Sequence, residues 1–200
     1  MMKIDEGKLN ETIVSAVKVM RDGGLILYPT DTVWGIGCDA TNAAAVAKVF
    51  ELKKRSDSKS LVLLASDMDM ICRYVKAMPE MAVSLIEVND RPMTIVYPDA
   101  ITTSGYGLAS ECVAEDGSVG IRIPLSDYCR RMVARFGKPV VSTSANISGE
   151  PTPKSFTEIS DIIRGSVDYI VCPELEEEST GISSSVIKVD VDGGIVIIRP

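Results

Sequence analysis

With 200 residues, 46% of them hydrophobic and 24% charged, the chain can bury one substantial core, and one domain spanning 1–200 is expected. The net charge of −7 opposes broad affinity for phosphate backbones, and the absence of histidine removes imidazole from any catalysis. The N-terminus lacks the basic start and apolar run of a secretory signal, and no apolar run reaches membrane-spanning length, so a cytoplasmic protein without membrane contact is expected.

Leu9, Ile13, Val17 and Met20 recur at helical spacing, and Gly23-Gly24 ends this first amphipathic helix. Leu25 to Tyr28 reads as a short buried strand stopped by Pro29, which hands over to a polar loop, Pro29-Thr30-Asp31-Thr32. Thr41 or Asn42 can cap a helix carrying Val46, Val49 and Phe50, and Leu61 to Leu64 is a further buried strand. Ser66 and Asp69 suit the start of a helix by capping-box logic, and another helix spans about Glu80 to Val88. Met93 to Tyr97 alternates as a strand.

The stretch from Thr102 to Ser118 has no clear period and reads as a long loop. Val119 to Ile123 is a strand, Ser126 caps a helix ending near Gly137, and Pro139 to Ser142 is a strand running into Thr143-Ser144-Ala145-Asn146. Ser155 and Glu158 form a capping-box pair for a short helix, Tyr169 to Val171 is a strand, and Glu174 to Glu178 is an acidic linker. Ser185 to Asp190 and Ile195 to Arg199 form a hairpin around Asp192-Gly193-Gly194. The order predicts an α/β (α+β) fold: one twisted mixed sheet flanked by helices, with ligands beyond strand ends. Five widely spaced cysteines with no CxxC or Cys/His cluster read as core thiols, so no protein-bound metal is expected from them.

Three polar segments stand out: Pro29-Thr30-Asp31-Thr32-Val33-Trp34-Gly35, then Lys53-Lys54-Arg55 with Lys59, then Ser142-Thr143-Ser144-Ala145-Asn146. Taken singly, basic residues at a helix end are favoured by its dipole, and the last segment is an ordinary cap or Asx-turn. No Walker loop and no GxGxxG follows a strand, so phosphates would be held by scattered side chains.

In order and content the three segments resemble the YrdC or Sua5 family of threonylcarbamoyl-AMP synthases, with its PT(D/E)TVYG, KxR and SxN hallmarks. The likeness continues through Val119 to Pro124, Ser184 to Ile187 and Ile198-Arg199-Pro200, covering about residues 10 to 200. Trp34 stands where Tyr or Phe is usual, Arg91-Pro92-Met93-Thr94 only partly matches P-G-P-x-T, Ser185 replaces Thr, and Leu64 falls where some members have His. The length is similar to the short, single-domain form of the family.

The resemblance implies a YrdC-like fold and the condensation of L-threonine, bicarbonate and ATP into threonylcarbamoyl-AMP and pyrophosphate. It implies magnesium brought with ATP, and a downstream tRNA threonylcarbamoyl transferase machinery as partner. By motif position it implies Thr32, Arg122, Ser144 and Ser184 for threonine. Lys53 and Arg55 would be catalytic, and Arg55, Lys59, Ser118, Asn146 and Arg199 would meet ATP. Asp31 is left open between orienting a cation and holding magnesium through water. Two other readings stay open: a YciO-like paralogue, against which the KxR and SxN pair argues, and an RNA-binding module for double-stranded RNA or tRNA, against which the acidic balance argues.

Overall fold

In the computed structural model of the protein, residues 4–54 and 61–200 are described. Among them, nine strands run in chain order as β1 (Ile26–Tyr28), β2 (Gly35–Gly37), β3 (Val62–Leu64), β4 (Met93–Tyr97), β5 (Val119–Arg122), β6 (Val140–Ser144), β7 (Tyr169–Ile170), β8 (Ser185–Val189) and β9 (Ile195–Arg199). They form one sheet in the order β7-β1-β2-β6-β3-β5-β4-β8-β9. The pairs β1/β7, β3/β5 and β4/β8 are parallel and the others antiparallel, so the sheet is mixed, as the order of elements predicts.

The helices are α1 (Glu6–Arg21), α2 (Ala43–Lys53), α3 (Met68–Cys72), α4 (Glu80–Val88), α5 (Asp127–Phe136) and α6 (Asp161–Gly165). Asp5 caps α1 by accepting from the Lys8 amide at 2.9 Å, and the stripe Leu9, Ile13, Ala16, Val17 and Met20 is buried. Ser126 caps α5, which buries Tyr128, Cys129, Met132, Val133 and Phe136 and ends at Gly137 in the left-handed region at φ 84°. The two amphipathic helices pack together, so one sequence stripe seals the other.

The sequence reading assigns no strand between Tyr28 and Thr41, yet β2 lies there, paired to β1 and β6. Its glycines carry no β signal because they answer to packing. A Cβ on Gly37 would stand 2.7 Å from Cε1 of Tyr28 and 3.0 Å from the Val141 carbonyl oxygen. The Tyr28 ring occupies the space of a side chain there, with its hydroxyl donating to Val141 O at 3.3 Å.

The structure decides between two caps at α2 and departs from the expected caps in two other places. Asn42, not Thr41, caps α2, because Thr41 is held by the Asp39 carboxylate. Asp67 caps α3, with Ser66 donating to it. The Ser155/Glu158 box does not form: that segment is a short 3-10 turn, Phe156–Glu158, Glu158 accepts from the Lys154 amide, and Ser160 caps α6 instead. The 102–118 loop carries a short 3-10 turn at Ser110–Cys112, and the acidic segment is one at Pro173–Glu178.

Candidate active site

A cleft of about 290 Å³ lies across one face of the sheet, with Gly35 of β2, Val62 of β3, Ser142 of β6 and Val186 of β8 in its floor. Thr30, Thr32, Arg122, Ser144, Ser184 and Arg199 also line it. The site is therefore over the sheet face rather than beyond strand ends, since its lining comes from strands on both sides of β3.

Arg122 is the last residue of β5 and only 3% exposed. One of its terminal nitrogens donates to Asp31 Oδ1 at 2.5 Å and the other to Thr32 Oγ1 at 3.3 Å. The second oxygen of Asp31 accepts from the Leu125 amide at 2.9 Å, so the carboxylate ties the end of β5 to the loop after β1. Asp31 thus orients a cation, and that cation is an arginine.

Hydroxyl directions follow from proton counting. Thr30 has one hydroxyl proton, and it goes to the Val33 carbonyl at 2.8 Å, so at its 2.8 Å contact with Thr32 it accepts. Thr32 consequently donates to Thr30 and accepts from Arg122. The loop is strapped from outside, since the Thr180 amide donates to Asp31 O at 3.1 Å, the Gly181 amide to Thr32 O at 2.7 Å, and the Ser179 hydroxyl to Thr30 O. This strap continues directly into Ser183 and Ser184, so the threonine loop and the far wall of the cleft are one connected unit.

On that wall, the buried Ser184 hydroxyl shares a 2.8 Å bond with Thr94 Oγ1, and Arg199 Nε donates to the Ser184 carbonyl at 2.9 Å. On the near wall, Ser144 donates to Asn146 Oδ1 at 2.5 Å, which leaves Asn146 Nδ2 to donate to Glu150 O at 2.7 Å. Lys53, 2% exposed, donates from Nζ to Ser144 O at 2.5 Å and Asn146 O at 2.7 Å. Its charge braces the turn that carries the SxN motif.

Of the residues expected from sequence, Thr32, Arg122, Ser144, Ser184 and Arg199 meet in the cleft, with Lys53 and Asn146 joined to it through the Ser144 turn. Ser118 does not line this cleft but stands two residues from Gly120, which pairs with the cleft residue Val62. It precedes β5, at the opposite end from Arg122 and about 13 Å away at ordinary strand rise, with its hydroxyl on Asp116 at 2.6 Å. Arg55 and Lys59 lie outside the described residues. Sequence reading did not select Thr30, Ser142, Ser183 or the supporting Thr94. Thr30 and Ser142 fall inside motif segments and Thr94 closes the segment that partly matches P-G-P-x-T, whereas only the strap geometry reveals Ser183, and only the contact with Ser184 shows what Thr94 supports.

Trp34, at the position usual for Tyr or Phe, is fully buried and packs on Phe156 with ring centroids 5.0 Å apart, outside the cleft lining. Cys129 lies behind the loop, its thiol donating to Pro29 O at 3.4 Å; burial, with the Asp31 charge adding to it, pushes that thiol up to about 12. Burial likewise pushes the Cys38 thiol well above its ordinary value, and Cys38 does not line the cleft. Among the described residues no group of three carboxylate, cysteine or histidine ligands converges, and both oxygens of Asp31 are engaged. The donor set does not fit a magnesium ion held by Asp31.

Residues 18–200 match the Sua5_yciO_yrdC family, described as telomere recombination. The chain is 35% identical to the threonylcarbamoyl-AMP synthase of Chromohalobacter salexigens over 151 residues, 74% of this chain and 78% of that one. It is 32% identical to the threonylcarbamoyl-AMP synthase of Stenotrophomonas maltophilia over 163 residues, covering 80% and 85%. Its fold superposes on P. abyssi Sua5 complexed with L-threonine with a TM-score of 0.85 at 26% identity. That match covers all of this chain but 55% of the other, so the chain spans little more than half of that relative's length. E. coli YciO shares the fold, with a TM-score of 0.76 at 22% identity over 94% of this chain and 88% of that one.

Proposed function

Since the chain belongs to the Sua5–YciO–YrdC family, we propose that it condenses L-threonine, bicarbonate or carbon dioxide, and ATP into threonylcarbamoyl-AMP and pyrophosphate. The product would pass to a tRNA threonylcarbamoyl transferase. The observation that carries this reading is the buried Arg122 in a hydroxyl-lined cleft, oriented by Asp31 and Thr32. Two of its five N–H groups serve those partners, and the others suit a planar carboxylate. Thr32, Ser144 and Ser184 provide the small polar contacts that a hydroxylated amino acid takes up.

In the proposed reaction the threonine amine adds to carbon dioxide and loses a proton, giving a carbamate. A carbamate oxygen then attacks the α-phosphorus of ATP, and the bond to the bridging oxygen of pyrophosphate breaks. No enzyme nucleophile or imidazole is required. The residues act by holding two anions together against their repulsion, Arg122 at the amino acid, with Arg199 and the KxR cation Arg55 assigned to the nucleotide. Lys53 supports this indirectly, by fixing the Ser144–Asn146 turn. Magnesium arriving with ATP would be held by nucleotide phosphates and water, and supplies charge neutralisation.

The test is a reaction with labelled bicarbonate, threonine and ATP, read by mass spectrometry for label in an adenylated threonine and by pyrophosphate release. Absence of that product from folded protein overturns the proposal and favours a YciO-like role. Affinity for tRNA that survives moderate salt would instead favour the RNA-binding reading.

A further inference from the structure

On the face of the sheet away from the candidate active site, a second cavity of about 240 Å³ lies over β4 and β5, with Ile86 of α4 and Arg130 of α5 on its far side. Met93, Ile95, Ile121 and Ile123 form its floor. Side chains alternate across a strand, so Met93 and Ile95 point away from Thr94, and Ile121 and Ile123 away from Arg122. The cavity therefore backs onto the two strands that carry Thr94 and Arg122 to the cleft. Its cover is loose: Met81, Ala82, Val83, Leu85, Ile86 and Val88 of α4 are all apolar, yet only Ala82 of that helix is buried.

The polar side chains of the lining are Asn89, Tyr97 and Arg130, and no carboxylate of the described residues joins them. Ile95 is opposite Ile121, which sets Met93 opposite Ile123, so Asn89, Leu125 and Arg130 gather where β4 begins and β5 ends. Tyr97 closes the other end, about 13 Å along the strand. Leu125 and Arg130 are exposed, so the charged end is the open one. Among the described residues the Arg130 side chain has no ion-pair or hydrogen-bond partner. Asn89 Oδ1 accepts from the Arg91 amide at 3.4 Å, which leaves its Nδ2 to donate. Tyr97 is 1% exposed, and its hydroxyl has no partner among the described residues either. The polar side chains of the wall thus all have a donor to offer.

We propose that this cavity binds a small apolar monocarboxylate, its carboxylate held by Arg130 and Asn89 at the mouth and its aromatic or branched body lying along Ile95 and Ile121. A guanidinium suits a carboxylate through paired N–H groups, and the isoleucine walls take the body out of water. An apolar cavity of about 150 Å³ takes one benzene ring. The larger volume here, about 240 Å³, has room for a ring and a short acid chain. The proposal does not depend on the reaction catalysed in the cleft.

The probe is phenylacetate, titrated into the full chain labelled at its methionine methyl groups and followed by NMR, with Met93→Leu used to assign the Met93 signal. A saturable shift of that signal is expected, with a Kd on the order of 1 mM for a ligand of this size. Arg130→Gln, at an exposed position, should weaken binding about tenfold or more, and 2-phenylethanol, which keeps the ring and lacks the charge, should bind more weakly by a similar factor. Ile86→Phe, which fills the cavity from the half-buried side of α4, should abolish the shift; should that variant misfold, the Arg130 change and the neutral probe still decide the matter. No saturable shift at Met93 overturns the proposal, as does phenylacetate binding that Arg130→Gln or a folded Ile86→Phe leaves unchanged, or that 2-phenylethanol matches.

Discussion

Arg122 and Asp31 are 3% and 5% exposed, so each depends on the other for its charge. Removing one partner of such a pair strands the other in a poor dielectric. Asp31→Asn keeps the shape and removes the charge, and is expected to lower folding stability by about 3 kcal/mol in urea denaturation. An unchanged denaturation midpoint would show that Arg122 is solvated some other way. Arg122→Ala is expected to weaken threonine roughly ten- to a hundredfold, about 1.5–3 kcal/mol, and ATP much less. Calorimetry that finds equal losses for both ligands would end the assignment of this guanidinium to the amino-acid carboxylate.

At the scale of elements, the cleft depends on β2 lying close between β1 and β6. Gly37 permits that approach, since a Cβ would meet the Tyr28 ring at 2.7 Å and the Val141 carbonyl at 3.0 Å, neither of which is the end of a flexible chain. Gly37→Ala should therefore cost about 1–3 kcal/mol, the ordinary range for overpacking. Because β2 carries Gly35 of the cleft floor, threonine affinity should fall together with stability. A stable Gly37→Ala protein would mean that the sheet can spread at this point without loss.

For the whole molecule, the buried thiols set an alkaline limit. Burial pushes both Cys112 and Cys129 up to about 12, and it raises Tyr28 and Tyr128 as well. An acid raised on folding contributes stability that is fully present below its unfolded value, about 8.5 for cysteine, and is lost as pH climbs toward the folded value. The melting temperature is therefore expected to fall steadily above about pH 8.5, and Cys129→Ala should lose less of it over that range than the parent. A parent slope that the variant reproduces would assign the alkaline loss to other groups. The Cys38 thiol is raised too, so no limb from Cys38 is expected in the neutral part of a pH–rate profile.

Helices α1 and α5, the long alternating strands and the C-terminal hairpin were legible in the sequence, because their apolar periods and caps are local properties of the chain. The motif segments also marked Thr32 and Ser144 as polar groups worth bringing together, and the family resemblance added Arg122. Local signals could not place β2, since glycines chosen for close approach carry no β preference. Nor could they reveal that Asp31 serves Arg122, or that Ser118 stands at the far end of β5 from it, because both follow from contacts across about ninety residues of chain or from strand direction. Sequence determined which residue types and local elements were available. Only the packing of distant segments decided which faces met, because burial and charge pairing act between groups that are neighbours in space.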